Sequence, residues 1–199
     1  MIPLERARFI ASLGFALCAA SASIAACAKR GEPTSAHKSV TAVPSGEVVD
    51  EKLLAYLSAA RSLHHEADIF EDKNDVRGAI GTLERLLARP MPTKGPEVDE
   101  VVADTHARLG ELRASLGDFD AAEKDVQLGL DAMPNISYFR GHLLEVRGII
   151  EESRAKSLAA KGDSSGASKA RDNAMKAYED AIAVQDEVIK RGAHDGGAP

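Results

Sequence analysis

Residues 103–134, ADTHARLGELRASLGDFDAAEKDVQLGLDAMP, read as two short amphipathic helices joined at Gly117-Asp118. Apolar and small residues recur at helical offsets on both sides of that joint: Leu109 and Gly110 before it, then Ala122, Val126 and Gly129 after it. A lone helical hairpin cannot bury its apolar face, so a unit of this kind has to stack on further copies of itself. Stacked hairpins form a curved surface suited to holding another protein. The stretch therefore points to binding rather than to catalysis.

Outward from it the pattern stays helical. One helix is expected over residues 47–72, carried by Leu53, Leu54, Leu57, Ala60, Leu63, Ala67 and Phe70. A second is expected over 75–88, with Ile80, Leu83, Leu86 and Leu87. The segment from Arg89 to Pro96 holds three prolines, which remove donors and clash with the preceding turn, so no helix continues through it. Further helices are expected over 97–116, 119–132, 136–161 and 165–190. Composition agrees, since aromatics make up 4% of the chain and Trp is absent. Small side chains let helices approach closely, whereas a sheet protein wants more β-branched and aromatic residues. Acid-first pairs four apart (Asp104/Arg108, Asp120/Lys124, Glu152/Lys156, Asp172/Lys176, Asp186/Lys190) suit solvated helix faces.

The hairpin resembles a tetratricopeptide repeat. His106, Leu109, Gly110 and Arg113 fall where that family has Trp-x-x-Leu-Gly-x-x-Tyr, and Ala122, Val126, Gly129 and Pro134 take its Ala, Phe, Ala and Pro positions. Gly110 and Ala122 let the two helices touch, Leu109 and Val126 fill the space between them, and Pro134 ends the second helix. Two family aromatics are polar here, His106 and Arg113. The same joint recurs as Asn74-Asp75 and Gly162-Asp163, at intervals of 43 and 45 residues against a family period of 34. The first excess falls in the proline-rich loop. The second is expected to lengthen the fifth helix, where Arg140, Leu143, Leu144 and Arg147 echo the register of His106 to Arg113, with Ala174, Tyr178 and Ala181 following in the sixth. The resemblance implies an all-α, right-handed stack of about three antiparallel helix pairs. It also implies a concave groove lined by the first helix of each pair, here Arg61, His64, Asp68, Asp104, Arg108 and Glu111.

The N-terminus has a different character. Arg6 and Arg8 precede an apolar run from Phe9 to Ala26, the layout of a secretory signal peptide over residues 1–26. The run ends in Ile24-Ala25-Ala26-Cys27, which resembles a bacterial lipobox. That resemblance implies lipid on Cys27 and a periplasm-facing anchor, at the outer membrane since Ala28 rather than Asp follows the cysteine. Three other readings stay open: ordinary cleavage at Ala26-Cys27-Ala28, an uncleaved span of 18 residues, and an incidental cysteine. Residues 28–46 carry Pro, Ser, Thr and Ala without apolar period and read as a flexible tether reaching roughly 25 Å. Residues 192–199 read as a frayed tail. The only cysteines are Cys18 and Cys27, so no disulfide framework and no thiol-based metal or nucleophile site is available to the domain. Net charge is −6, and losing Glu5, Arg6 and Arg8 makes it one unit more negative. That argues against a nucleic acid partner, whose phosphates need an excess of Lys and Arg.

Candidate chemistry is sparse. His64, His65 and Asp68 offer helical ligand spacing, but a metal needs three or four ligands. Asp72-Lys-Asn74-Asp75 lacks the glycine and glutamate of a calcium loop, having Arg77 and Leu83 in those places. No nucleophile elbow, phosphate loop or His-Glu-x-x-His is present. The expectation is a non-enzymatic, cofactor-free scaffold, anchored through Cys27, that binds an unidentified protein or peptide in its groove. A helical ligand- or metal-binding sensor using the His64/His65 helix is the alternative.

Overall fold

The computed structural model describes residues 50–92 and 95–195. The apolar N-terminal run, Cys27 and the tether lie outside the described residues, as do the last four. Among the described residues the chain is all-α, with six helices and no strand: α1 (Glu51–Asp72), α2 (Val76–Leu87), α3 (Pro96–Ser115), α4 (Phe119–Ala132), α5 (Tyr138–Ala160) and α6 (Ser164–Asp195). No helix among them is long and apolar enough to cross a membrane.

Local chemistry sets the boundaries. The Asp50 carboxylate caps α1 by accepting from the Lys52 and Leu53 amides at 2.9 and 3.3 Å. Pro96 occupies the first turn of α3, where its missing N–H costs nothing. Ser137 caps α5 through the Arg140 amide. The last helix departs from expectation, because it passes through Gly192 to Asp195 instead of giving way to a tail at residue 192. One glycine costs a helix about 1 kcal/mol and does not end it.

The three joints are the same structure. Asn74, Gly117 and Gly162 adopt φ of 59°, 80° and 82°, the left-handed conformation that ends a helix. The next residue is an aspartate each time, and its amide closes onto a carbonyl five residues back: Asp75 on Phe70, Asp118 on Arg113, Asp163 on Leu158, at 2.8–3.0 Å. Its carboxylate then caps the following helix, accepting from Gly78 at 2.9 Å, Ala121 at 3.4 Å and Gly166 at 2.8 Å. The longest cap is the one whose acceptor faces alanine rather than glycine, because a Cβ at 78 or 166 would sit 2.6 or 2.3 Å from the other oxygen, Oδ2, of the capping carboxylate.

Counting from these joints fixes the register of the third hairpin. Seven residues before the turn stand Ala67, Gly110 and Ala155, and five after it Ala79, Ala122 and Ala167, all buried. The third unit is therefore anchored at Ala155 and Ala167, and not at Leu144 and Ala174 as expected. The extra length is also not confined to α5. The first helices of the pairs have 22, 20 and 23 residues, and α6 has 32.

Helices pack in chain order. α1 pairs with α2, α3 with α4 and α5 with α6; α1 and α2 both reach α3, α3 and α4 both reach α5, and the backbone of α6 lies against α5 alone. The core follows that order. Ala67, Ala79, Leu83, Leu109 and Leu112 join the first hairpin to α3. Tyr56, Ala60, Leu86 and Val98 close its other end. Val126, Leu130, Leu143, Val146 and Ile150 join α4 to α5. Leu109 thus packs back onto the preceding hairpin, rather than between the two helices of its own. Gly110 does take the expected place: a Cβ there would lie 3.1 Å from Val126 and 3.3 Å from the Ala122 carbonyl oxygen. Pro134 stands exposed two residues past the end of α4.

Candidate functional site

Five of the six groove residues converge on one polar surface across α1 and α3. His64 and Asp68 lie one turn apart on α1, and Asp104, Arg108 and Glu111 follow the same spacing on α3. Arg108 is the hub. Its guanidinium donates to Asp68 at 2.5 Å, to Glu71 through Nε at 3.1 Å, and to the His64 carbonyl oxygen at 3.2 Å. A second guanidinium nitrogen also reaches Glu71. Desolvation by burial works against the cation, but the hydrogen bonds it donates to Glu71 and Asp68 outweigh that and hold its pKa above the usual arginine value. On Asp68 the same bond overcomes the opposing desolvation and lowers the carboxyl pKa.

His64 completes the clamp. Its Nε2 lies 3.1 Å from Thr105 Oγ1, whose own proton goes to the Val101 carbonyl at 2.6 Å. The imidazole must therefore donate from Nε2, which leaves Nδ1 to accept from Arg108 at 3.4 Å. Burial lowers the His64 pKa, with Arg108 adding to the effect and Asp104, 3.9 Å away, opposing it. The ring is thus held neutral between two helices. His65 turns away to Asp68 at 3.3 Å. The two histidines do not converge, and among the described residues no group of three His, Cys, Asp or Glu side chains is placed to hold a metal.

Arg61 stands exposed on α1 and forms no hydrogen bond or ion pair with these side chains. Asp104, Arg108 and Glu111, but not His64 or Asp68, border an open cavity of about 470 Å³ also lined by Glu71, Ser115 and His142. Desolvation raises the Glu111 pKa, with His142 the main opposing influence. Glu71 and His142 were not expected in the groove. Glu71 was legible, standing three residues after Asp68 and seven after His64 on one helix face. His142 stands where Arg108 does in the register expected for α5, Arg140 on His106, and not in the one its joint fixes.

The two polar replacements at family aromatic positions also find their explanation. Asp125, 4% exposed, accepts from Arg113 at 2.5 Å and pairs with His106 at 3.3 Å, while Arg113 also reaches Glu84 at 2.6 Å. One buried carboxylate on α4 therefore occupies both polar residues of α3, and Arg113 itself makes the tie to α2. Its signal was present, since Asp125 interrupts the stripe of Ala122, Val126 and Gly129 at helical spacing. Opposite, Arg147 binds Glu123 and Gln127 at 2.8 and 2.9 Å, and Glu151 joins Arg154 to Asn173. Burial raises the Glu123 pKa against the pull of Arg147. Of the five acid-first pairs, Glu152–Lys156 alone closes at 2.7 Å. Arg108 turns to α1, and Asp120 accepts from Arg154 of α5.

No protein-family model, no curated protein sequence and no solved structure matches the chain.

Proposed function

We propose that this chain is an exported scaffold, held to a membrane by lipid on Cys27, which binds another protein along the groove formed by α1, α3 and α5. The observation that carries the reading is the repeated joint. Three left-handed residues, three capping aspartates and two sets of buried small residues recur at equal offsets. Hairpins that repeat at this level of detail and pack in chain order behave as a tetratricopeptide-like stack. In such a stack the first helices line the concave side. The groove's binding chemistry differs from that expected of Arg61 and Arg108. Arg108 is already bound to Asp68 and Glu71, so the partner meets Asp104, Glu111 and His142.

The test uses the full chain in bacterial cells, with a photo-crosslinking residue placed at 104 or 111 and, as a control, at the exposed position 58 of α1. Discrete adducts from 104 and 111, those from 104 being lost on Glu111→Lys with the fold intact, support the groove. Equal labelling from all three positions refutes it. The anchor is tested separately by labelling with an alkyne fatty acid. Label on the wild-type chain that disappears in Cys27→Ser supports lipidation, and an unlabelled wild-type chain refutes it.

A further inference from the structure

The last helix carries an apolar seam that nothing among the described residues covers. Met175, Ile182 and Ile189 are 61%, 61% and 68% exposed and stand seven residues apart. Seven-residue spacing keeps them on one line along the helix, about 21 Å from first to last. The side of α6 packed on α5, through Ala170, Ala174, Ala177 and Ala181, lies roughly a third of a turn round the helix from this line. The seam is held rigidly by the residues between. Gly148 and Gly141 of α5, themselves seven apart, leave room for Tyr178 and Gln185, since a Cβ at either would fall 2.5 or 2.7 Å from those side chains. Tyr178 donates to Glu152 at 3.3 Å. An open apolar groove of about 500 Å³ runs beside Ile182, bordered by Tyr178, Gln185, Glu145 and Asp186.

The charge around the middle of this seam is acidic, with the exposed cations Arg171, Lys176 and Lys190 lying towards its ends. Asp172, Glu179 and Asp186 precede the three apolar residues at a constant offset of three, all exposed, and none forms an ion pair among the described residues. Glu145 of α5 borders the other side. An apolar line between carboxylates is complementary to a helix with an apolar line between cations. It is unsuited to an anionic bilayer, which would repel the carboxylates. A second copy is disfavoured at the centre of the seam, because two antiparallel α6 helices crossing at Ile182 bring Glu179 of one towards Asp186 of the other, although Asp172 would then approach Lys190 and Arg191 near the ends.

We infer that the exposed face of α6 is a docking site for a basic amphipathic helix, one with apolar residues at heptad spacing flanked by Lys or Arg. This site is separate from the groove of α1, α3 and α5.

The probe is a three-heptad fluorescein-labelled peptide of Leu, Ala and Lys, with its leucines on one face. Its controls are the same peptide with Glu for Lys, and a scrambled peptide of identical composition. Anisotropy titration against the full chain should show the basic helix binding at least tenfold more tightly than either control. Ile182→Lys and Glu179→Lys should each weaken it at least tenfold with helix content unchanged, while Glu111→Lys in the groove leaves it as in wild type. Equal binding of scrambled and amphipathic peptides, or binding that survives Ile182→Lys, overturns the inference. So does a sedimenting dimer that Ile182→Lys dissolves, which would give the face to a second copy.

Discussion

Truncating Asp125 to alanine tests the claim that one buried carboxylate replaces two aromatic packing positions. Its side chain is 6% exposed, with His106 at 11% and Arg113 at 20%. Removing one member of a buried charge pair usually costs about 3–5 kcal/mol, because the survivor stays buried without its partner. Here Arg113 keeps Glu84, which is largely exposed, so the loss should fall near the lower end, about 3 kcal/mol. Arg113→Ala should cost a similar amount, since it leaves Asp125 with His106 alone. The double variant should be less damaging than the two singles added, by roughly 2 kcal/mol, because the penalty of a stranded charge is then paid by neither residue.

Urea unfolding of the full chain, followed by far-UV circular dichroism, measures all four corners of this cycle. A further variant, Asp125→Leu with His106→Phe and Arg113→Leu, returns apolar side chains to these places and should recover most of the loss. Additivity within about 0.5 kcal/mol would refute the reasoning. So would a cost below about 1 kcal/mol for Asp125→Ala, which would mean that the carboxylate is solvated in spite of its burial.

The neutral His64 ring makes stability depend on pH. Its pKa is lowered in the folded chain, so below about 6.5 the unfolded chain holds the extra proton and stability falls until the folded value is passed. The wild type should therefore lose more between about pH 7.5 and 5.5 than His64→Gln does, and equal losses sink the assignment. Glycine replacements should split by environment. At Gly129 a Cβ would sit 2.6 Å from the buried Leu143, and overpacking of about 1–3 kcal/mol should exceed the helix-propensity gain of about 1 kcal/mol. At Gly81 nothing lies within 4 Å, so Gly81→Ala should stabilise, and two changes of the same sign in thermal unfolding would contradict the packing. The caps should rank by their geometry. Asp163→Ala should cost about 1 kcal/mol and Asp118→Ala less, because the Asp118 bond is longer; a reversed order in urea titration would be the contrary result.

What the sequence made legible follows from the range of the interactions involved. The helices and their joints depend on neighbours a few residues away, so Gly117-Asp118 and its two counterparts could be read directly, and ten of the twelve helix ends lie within two residues of expectation. Register over longer distances is different. Leu143, Leu144, Ala174 and Ala181 repeat the family spacing as well as Ala155 and Ala167 do, because an excess of eleven residues is close to three helical turns and keeps the apolar face in phase. Periodicity alone cannot separate two registers that differ by whole turns; the position of the joint can. The groove shows the same division. Helical spacing gathers His64, Asp68, Asp104 and Arg108 on facing surfaces, but it does not say whether Arg108 awaits a partner or already has one. That depends on Glu71, 37 residues away in sequence and brought within reach only when α1 packs on α3. Arg108, expected to line the groove, instead joins α3 to α1, so in the proposed groove recognition passes to the acidic residues left beside it.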